Sequence, residues 1–147
     1  MKKMICSSTE FVEAFEKTLS DGGSVPIVVT GNSMNPFLVD GRDMVWLGAC
    51  GKADFKKGKI ILFKRSDGGL VLHRIRKILP NGELLMNGDA QNWCEKIKKD
   101  QAVAIVTAVE RNNKKKNCGS KVVWQFLMPV RPLIMRIWRK ARKYWGG

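Results

Sequence analysis

Chemistry in this 147-residue chain centres on Gly31-Asn32-Ser33-Met34-Asn35-Pro36 and on His73, forty residues after the serine and the only histidine present. A serine hydroxyl is a poor nucleophile until a base within hydrogen-bond reach removes its proton, and imidazole titrates near the required pH. If Ser33 is the nucleophile, His73 is therefore its general base. The apolar run Val25-Pro26-Ile27-Val28-Val29 leads into Thr30-Gly31-Asn32, where Gly and Asn permit a sharp bend. Such a bend exposes Oγ and frees the Ser33 backbone N–H, with Asn32 nearby, to stabilise an oxyanion, worth about 3 kcal/mol of barrier per donor.

The elements that must position these residues read as short strands. Between Ser24 and Val109, Gly, Asp and Asn recur between β-branched runs, with no βαβ alternation, which predicts a mainly β domain. Asp67-Gly68 and Asn81-Gly82 predict hairpin turns around a strand from Leu70 to Leu79. On that strand, period-2 alternation groups His73 with Val71 and Ile75, an apolar face that favours the neutral imidazole. Ser7-Ser8-Thr9-Glu10 reads as a capping box, and Phe11, Val12, Phe15, Thr18 and Leu19 at helical spacing predict a packing helix that ends at Asp21-Gly22-Gly23.

Four segments, in order, resemble boxes of the type I signal peptidase superfamily of serine peptidases. Ser33-Met34-Asn35-Pro36-Phe37-Leu38 with Gly41-Arg42-Asp43-Met44-Val45 resembles S-M-x-P-x-L…G-x-D-x-V. Lys57 to Phe63 resembles the G-D-I-V-x-F strand, Leu70 to Ile75 the strand bearing the base, and Asn87-Gly88-Asp89-Ala90-Gln91-Asn92 the G-D-x-x-N turn. Lys59 replaces the usual aspartate of the second strand, and Ala90-Gln91 departs from the usual residues after Asp89. Histidine before arginine in the third box is similar to the endoplasmic-reticulum and archaeal branch. Bacterial members and LexA-type self-cleaving repressors usually carry lysine there.

The resemblance covers about residues 25 to 109. It implies Ser33 as nucleophile, His73 as general base and Asp89 as the acid that orients the imidazole, with Asp43 as the alternative acid. It also implies a coiled β-sheet body, a substrate strand docked beside Met34, Pro36 and Leu72, and a preference for small side chains just before the cut.

Composition bounds this reading. The length suits one domain. Cys6, Cys50, Cys94 and Cys118 have no C-x-x-C spacing, so neither a metal site nor a redox pair is indicated, and no cofactor is expected. Met1 to Ser7 lacks the apolar core of a secretory signal.

The predicted organisation is a packing helix over 1–23, a peptidase body over 24–109, a basic linker over 110–120 and a tail helix over 121–147. From Pro132, Leu133, Ile134, Ile137, Trp138, Ala141, Tyr144 and Trp145 form one stripe, flanked by Arg136, Arg139, Lys140, Arg142 and Lys143. This basic amphipathic pattern predicts peripheral docking on an anionic membrane through Trp138, Arg139, Lys140, Arg142 and Trp145, on the cytoplasmic side or with a membrane-anchored protein partner. Pro129, Pro132, Arg131 and Arg136 disfavour a full crossing. The net charge of +14 raises nucleic acid as a partner. The absence of a helix-turn-helix before the β region, with the tail aromatics confined to one stripe, argues against it.

The sequence thus predicts a serine endopeptidase acting on a signal- or leader-peptide-like segment through an acyl-enzyme. The alternatives are a catalytically silent peptide-binding scaffold of the same fold and a LexA-like peptidase that cleaves itself within 110–120.

Overall fold

In a computed structural model, which describes residues 8–118 and 127–145, the chain is mainly β with a helix near each end. α1 (Ser8–Ser20) places Phe15 and Leu19 in the core. It stops where Gly22 takes a positive φ of 76° and the Gly22 and Gly23 N–H groups donate to the Leu19 and Thr18 carbonyls. Ser7 of the expected capping box and the side chains of Phe11 and Val12 lie outside the described residues.

Eight strands follow: β1 (Val25–Val28), β2 (Met44–Gly48), β3 (Ile60–Lys64), β4 (Leu70–Ile78), β5 (Leu84–Asn87), β6 (Glu95–Ile97), β7 (Ala102–Arg111) and β8 (Lys114–Asn117). They form one antiparallel sheet in the order β1-β2-β7-β3-β4-β5-β6, with β8 also on β7. β7 is the hub: one edge pairs with β2, while the other serves β3 near its start and β8 near its end.

Alternation along β3 feeds two cores. Ile60 and Leu62 join Phe15, Leu19, Met34, Val45, Leu47 and Val106 on one face, whereas Ile61 and Phe63 join Ile75, Leu84, Met86, Ile97 and Ile105 on the other. Each fully buried aliphatic side chain contributes about 1.5–3 kcal/mol, so the β3–β7 region is the most strongly held part of the sheet. Both expected hairpins form. Arg65 N–H donates to Gly69 O at the β3–β4 turn and Leu79 N–H to Glu83 O at the β4–β5 turn, with Gly68 and Gly82 at φ of 90° and 88°.

One expected boundary is corrected. Residues 111–117 of the anticipated linker form the β7–β8 hairpin, in which Asn112 and Asn113 adopt φ of 52° and 59°. Asn tolerates the left-handed region that a tight turn requires, so what reads as a solvated charge run is a turn followed by an exposed edge strand. α2 (Arg131–Trp145) closes the described chain, as the tail pattern predicts. No helix among the described residues is long and apolar enough to cross a membrane.

Candidate active site

The Ser33 loop leaves β1 and is stapled at both ends. Gly31 N–H donates to Asp40 at 2.9 Å, and Ser33 O accepts from Ala90 N–H at 2.9 Å. The second contact demands glycine at position 88, because a Cβ there would lie 2.7 Å from Ser33 O. The 87–91 turn is thereby pressed against the serine backbone. Register sets Asn87 opposite Arg74, so Gly88, the next residue, follows at the level of His73. Ser33 and His73 are brought to the same end of the sheet by this turn.

Ser33 is half-buried at the rim of a 340 Å³ pocket that it shares with Ile27, Val28, Val29, Thr30, Met34, Leu62, Leu70 and Leu72. Two backbone edges unpaired among the described residues flank this pocket. Among those residues β1 pairs only with β2, and β5 covers β4 only from Arg74 onward, which leaves Leu70 to His73 open on that side. Among the described residues the Ser33 N–H and Oγ make no hydrogen bond, so both remain available to an incoming group. Met34 and Leu72 line this pocket. Pro36 does not: it lines a separate cavity with Phe37, Arg74 and Arg111.

His73 is 2% exposed and packs among the rings of Phe63 and Trp93, at centroid separations of 6.0 and 6.3 Å. Its Nδ1 is buried without a partner, and the nearest carboxylate oxygen is Glu95 Oε1 at 3.6 Å. That oxygen is already engaged by Arg65. Burial lowers the imidazole from 6.5 to about 4, against an opposing pull from Glu95 and with a further push from Arg65. His73 is consequently neutral at physiological pH, and the transition expected near 6.5 moves down to about 4. Its ladder partner Ile61 sets the His73 side chain on the second core face, where Phe63 also packs, while Leu70 and Leu72 face the pocket. Ser33 and His73 share no hydrogen bond in this arrangement.

The two acids considered for His73 are placed elsewhere. Asp89 accepts from Arg74 Nε and Nη2 at 2.9 and 2.7 Å, a fork of two charge-assisted bonds, both residues being almost fully buried. Asp43 accepts from Arg42, Arg111 and the Val39 N–H, locking the loop before β2. Burial pushes Asp43 up, but these bonds outweigh it and hold the carboxyl below its usual range. Glu95 stands nearest the imidazole instead. Its place follows from pairing of β6 with β5, a non-local register that local spacing does not reveal.

Arg131 is a second residue whose place the sequence pattern does not show. Counted among the tail bases, it is fully buried and donates to Asn87 Oδ1, to Gln91 O at 2.8 Å and to Gly88 O at 3.4 Å. Burial draws its pKa below the usual guanidinium value, with Asp89 opposing. The first turn of α2 is thus fastened to the turn that presses on Ser33. The tail residues expected to meet lipid divide accordingly. Arg139, Lys140, Arg142 and Trp145 are exposed, whereas Trp138 is half-buried, with Arg142 stacked 5.4 Å from its ring centroid and Arg139 Nε donating to Met135 O. Trp138, Arg139 and Arg142, with Met135 and Lys143, line a second cavity against Asn32, Asn35 and Ala90.

The chain matches no family model and no curated protein.

Proposed function

We propose that the protein is a serine endopeptidase of the signal-peptidase/LexA-like fold that cleaves leader- or signal-like segments. The observation that carries the reading is the placement of Ser33, with Oγ and N–H both unengaged, at the rim of an apolar pocket between two open strand edges. A peptide entering as an extended strand would hydrogen-bond to the edges of β1 and β4 and set one side chain into the pocket. The pocket, lined by Ile27, Leu70 and Leu72, would take an apolar side chain before the cut.

In the mechanism, Ser33 Oγ attacks the carbonyl while neutral His73 takes its proton, and the Ser33 N–H supports the oxyanion. The protonated imidazole then releases the amine, and water hydrolyses the acyl-enzyme by the same route in reverse. His73 lies on the second core face, so the proposed proton transfer requires β4 and the Ser33 loop to rearrange around substrate before the two side chains meet. Peripheral docking of α2 on an anionic membrane belongs to the same proposal. Its support is the exposed Leu133, Ile137, Tyr144 and Trp145 beside Arg136 and Lys140.

The unclosed Ser33–His73 pair favours one second reading, a peptide-binding scaffold that uses the same pocket without cleavage. New protein N-termini, measured by mass spectrometry in membranes and cytosol incubated with wild type, Ser33→Ala or His73→Ala, separate the two. Cuts made by wild type alone, clustered after small residues, support the peptidase. Identical N-termini with all three folded proteins overturn it in favour of the scaffold.

A further inference from the structure

On the other side of the Ser33 loop from the apolar pocket lies a 620 Å³ cavity lined by Asn32, Asn35, Ala90, Met135, Trp138, Arg139, Arg142 and Lys143. Three of these residues are cationic and none is acidic, so an empty cavity concentrates positive potential within a residue or two of the nucleophile. Two of the three cations are anchored, Arg139 donating to Met135 O and Arg142 stacking on Trp138, and buried Arg131 fastens the start of α2 to the 87–91 turn. Asn35, a lining residue that is 8% exposed, has a buried Oδ1 without a hydrogen-bond partner, so its amide has bonding capacity in reserve if the loop shifts around a ligand.

We propose that this cavity receives an acidic side chain of the peptide on the carboxyl-terminal side of the cut, an inference that rests on the endopeptidase reading of Ser33. The loop divides the substrate path. Ser33 and Met34 face the apolar pocket, whereas Asn32 and Asn35 face the cationic one. A strand that sets its small residue between β1 and β4 therefore runs past Ser33 toward Arg139, Arg142 and Lys143. A lipid headgroup is the other anion of suitable charge, and the helix geometry disfavours it. At about 100° per residue, Leu133, Ile137 and Tyr144 fall within roughly 40° of one another, with Arg142 roughly opposite. Insertion of that apolar stripe into a membrane turns Arg139 and Arg142 toward the Ser33 loop and away from the lipid, with Lys143 on the flank, roughly 100° from the stripe.

Binding of fluorescein-labelled leader-like peptides to intact Ser33→Ala protein tests this without turnover. The peptides differ only in carrying Asp or Asn at each of the first three positions after the small residue. The expected result is about fivefold to tenfold tighter binding of one Asp peptide at low salt, shrinking as salt rises. The ratio should fall to about one when Arg142→Gln and Lys143→Gln are added, and Arg142→Glu with Lys143→Glu should favour a Lys peptide. Equal affinity for Asp and Asn peptides overturns the proposal, as does a preference that survives both charge reversals. Binding to phosphatidylglycerol-containing vesicles that is lost on these substitutions, without any peptide preference, assigns the cavity to a headgroup and also overturns it. If wild type cleaves none of the peptides while the Asp preference holds in binding, the peptidase reading alone fails and the acidic-peptide site stands.

Discussion

His73 and Arg74 are consecutive residues of β4, both all but inaccessible to solvent, and they are treated in opposite ways. Arg74 has its guanidinium paired with Asp89 and bonded to Gly58 O at 2.8 Å, on the side where α2 and the 87–91 turn meet. His73, one residue earlier and on the other face, is left with an unpartnered Nδ1 among Phe63, Trp93 and a carboxylate 3.6 Å away. A buried charge is tolerable only when paired and fully bonded, so Arg74 is architectural. A buried polar atom without a partner costs free energy and structures keep few of them, which is the feature of His73 that the proposed mechanism uses.

Replacing each residue by leucine tests that contrast most severely. His73→Leu is expected to reduce peptide cleavage by about 10⁴-fold while shifting unfolding free energy by no more than about 1 kcal/mol, because an apolar side chain replaces an unpartnered polar one. Cleavage assays on refolded variant, with urea denaturation alongside, decide it, and undiminished turnover would remove His73 from the mechanism.

Arg74→Leu is expected to cost about 3–5 kcal/mol, since the two charge-assisted bonds to buried Asp89 and the bond to Gly58 O are lost together. Urea unfolding should show most of this loss recovered when Asp89→Leu is added. An Arg74→Leu protein as stable as His73→Leu would erase the distinction between the two faces.

Stability against pH gives a signed test of the same pair. The unfolded chain takes a proton on its histidine near 6.5, whereas the native state resists until about 4. Between those values the unfolded state binds more protons, so His73 contributes stability that is present above 6.5 and lost as pH falls through about 4. The loss is of order 3 kcal/mol, and the wild-type curve should be steeper than that of His73→Leu in this window. Parallel curves would refute the burial of the neutral ring. Asp43, with its carboxyl held low by Arg111 and Arg42, adds a separate loss only below about 3.8.

The smallest effect concerns Glu95. Its charge raises His73 against the dominant effect of burial, so Glu95→Gln should lower the imidazole further, by about one pH unit or less. A chain with one histidine has one imidazole Hε1 resonance to follow by NMR. An upward movement of its titration would show that Glu95 does not face the ring in solution.

What could be recognised from local pattern was what local physics decides. The hairpins at Asp67-Gly68 and Asn81-Gly82, the strand alternation that buries His73 with Val71 and Ile75, and α2 with its mixed apolar and basic flanks depend on neighbours within a few residues. Asn112-Asn113 obeyed the same turn rule, but the surrounding lysines masked it.

The sequence by itself therefore determined which residue types were available for chemistry, where the chain turns and which faces alternate, because φ preferences and side-chain periodicity are properties of short segments. Only the tertiary structure decided that Asp89 belongs to Arg74, that Glu95 approaches His73 and that Arg131 leaves the basic tail to clasp the turn beside Ser33. Those partners are 15, 22 and 40 to 44 residues apart and are chosen by strand register and by the need to satisfy buried charge. Both are conditions of the assembled sheet and cannot be met by any one segment of it.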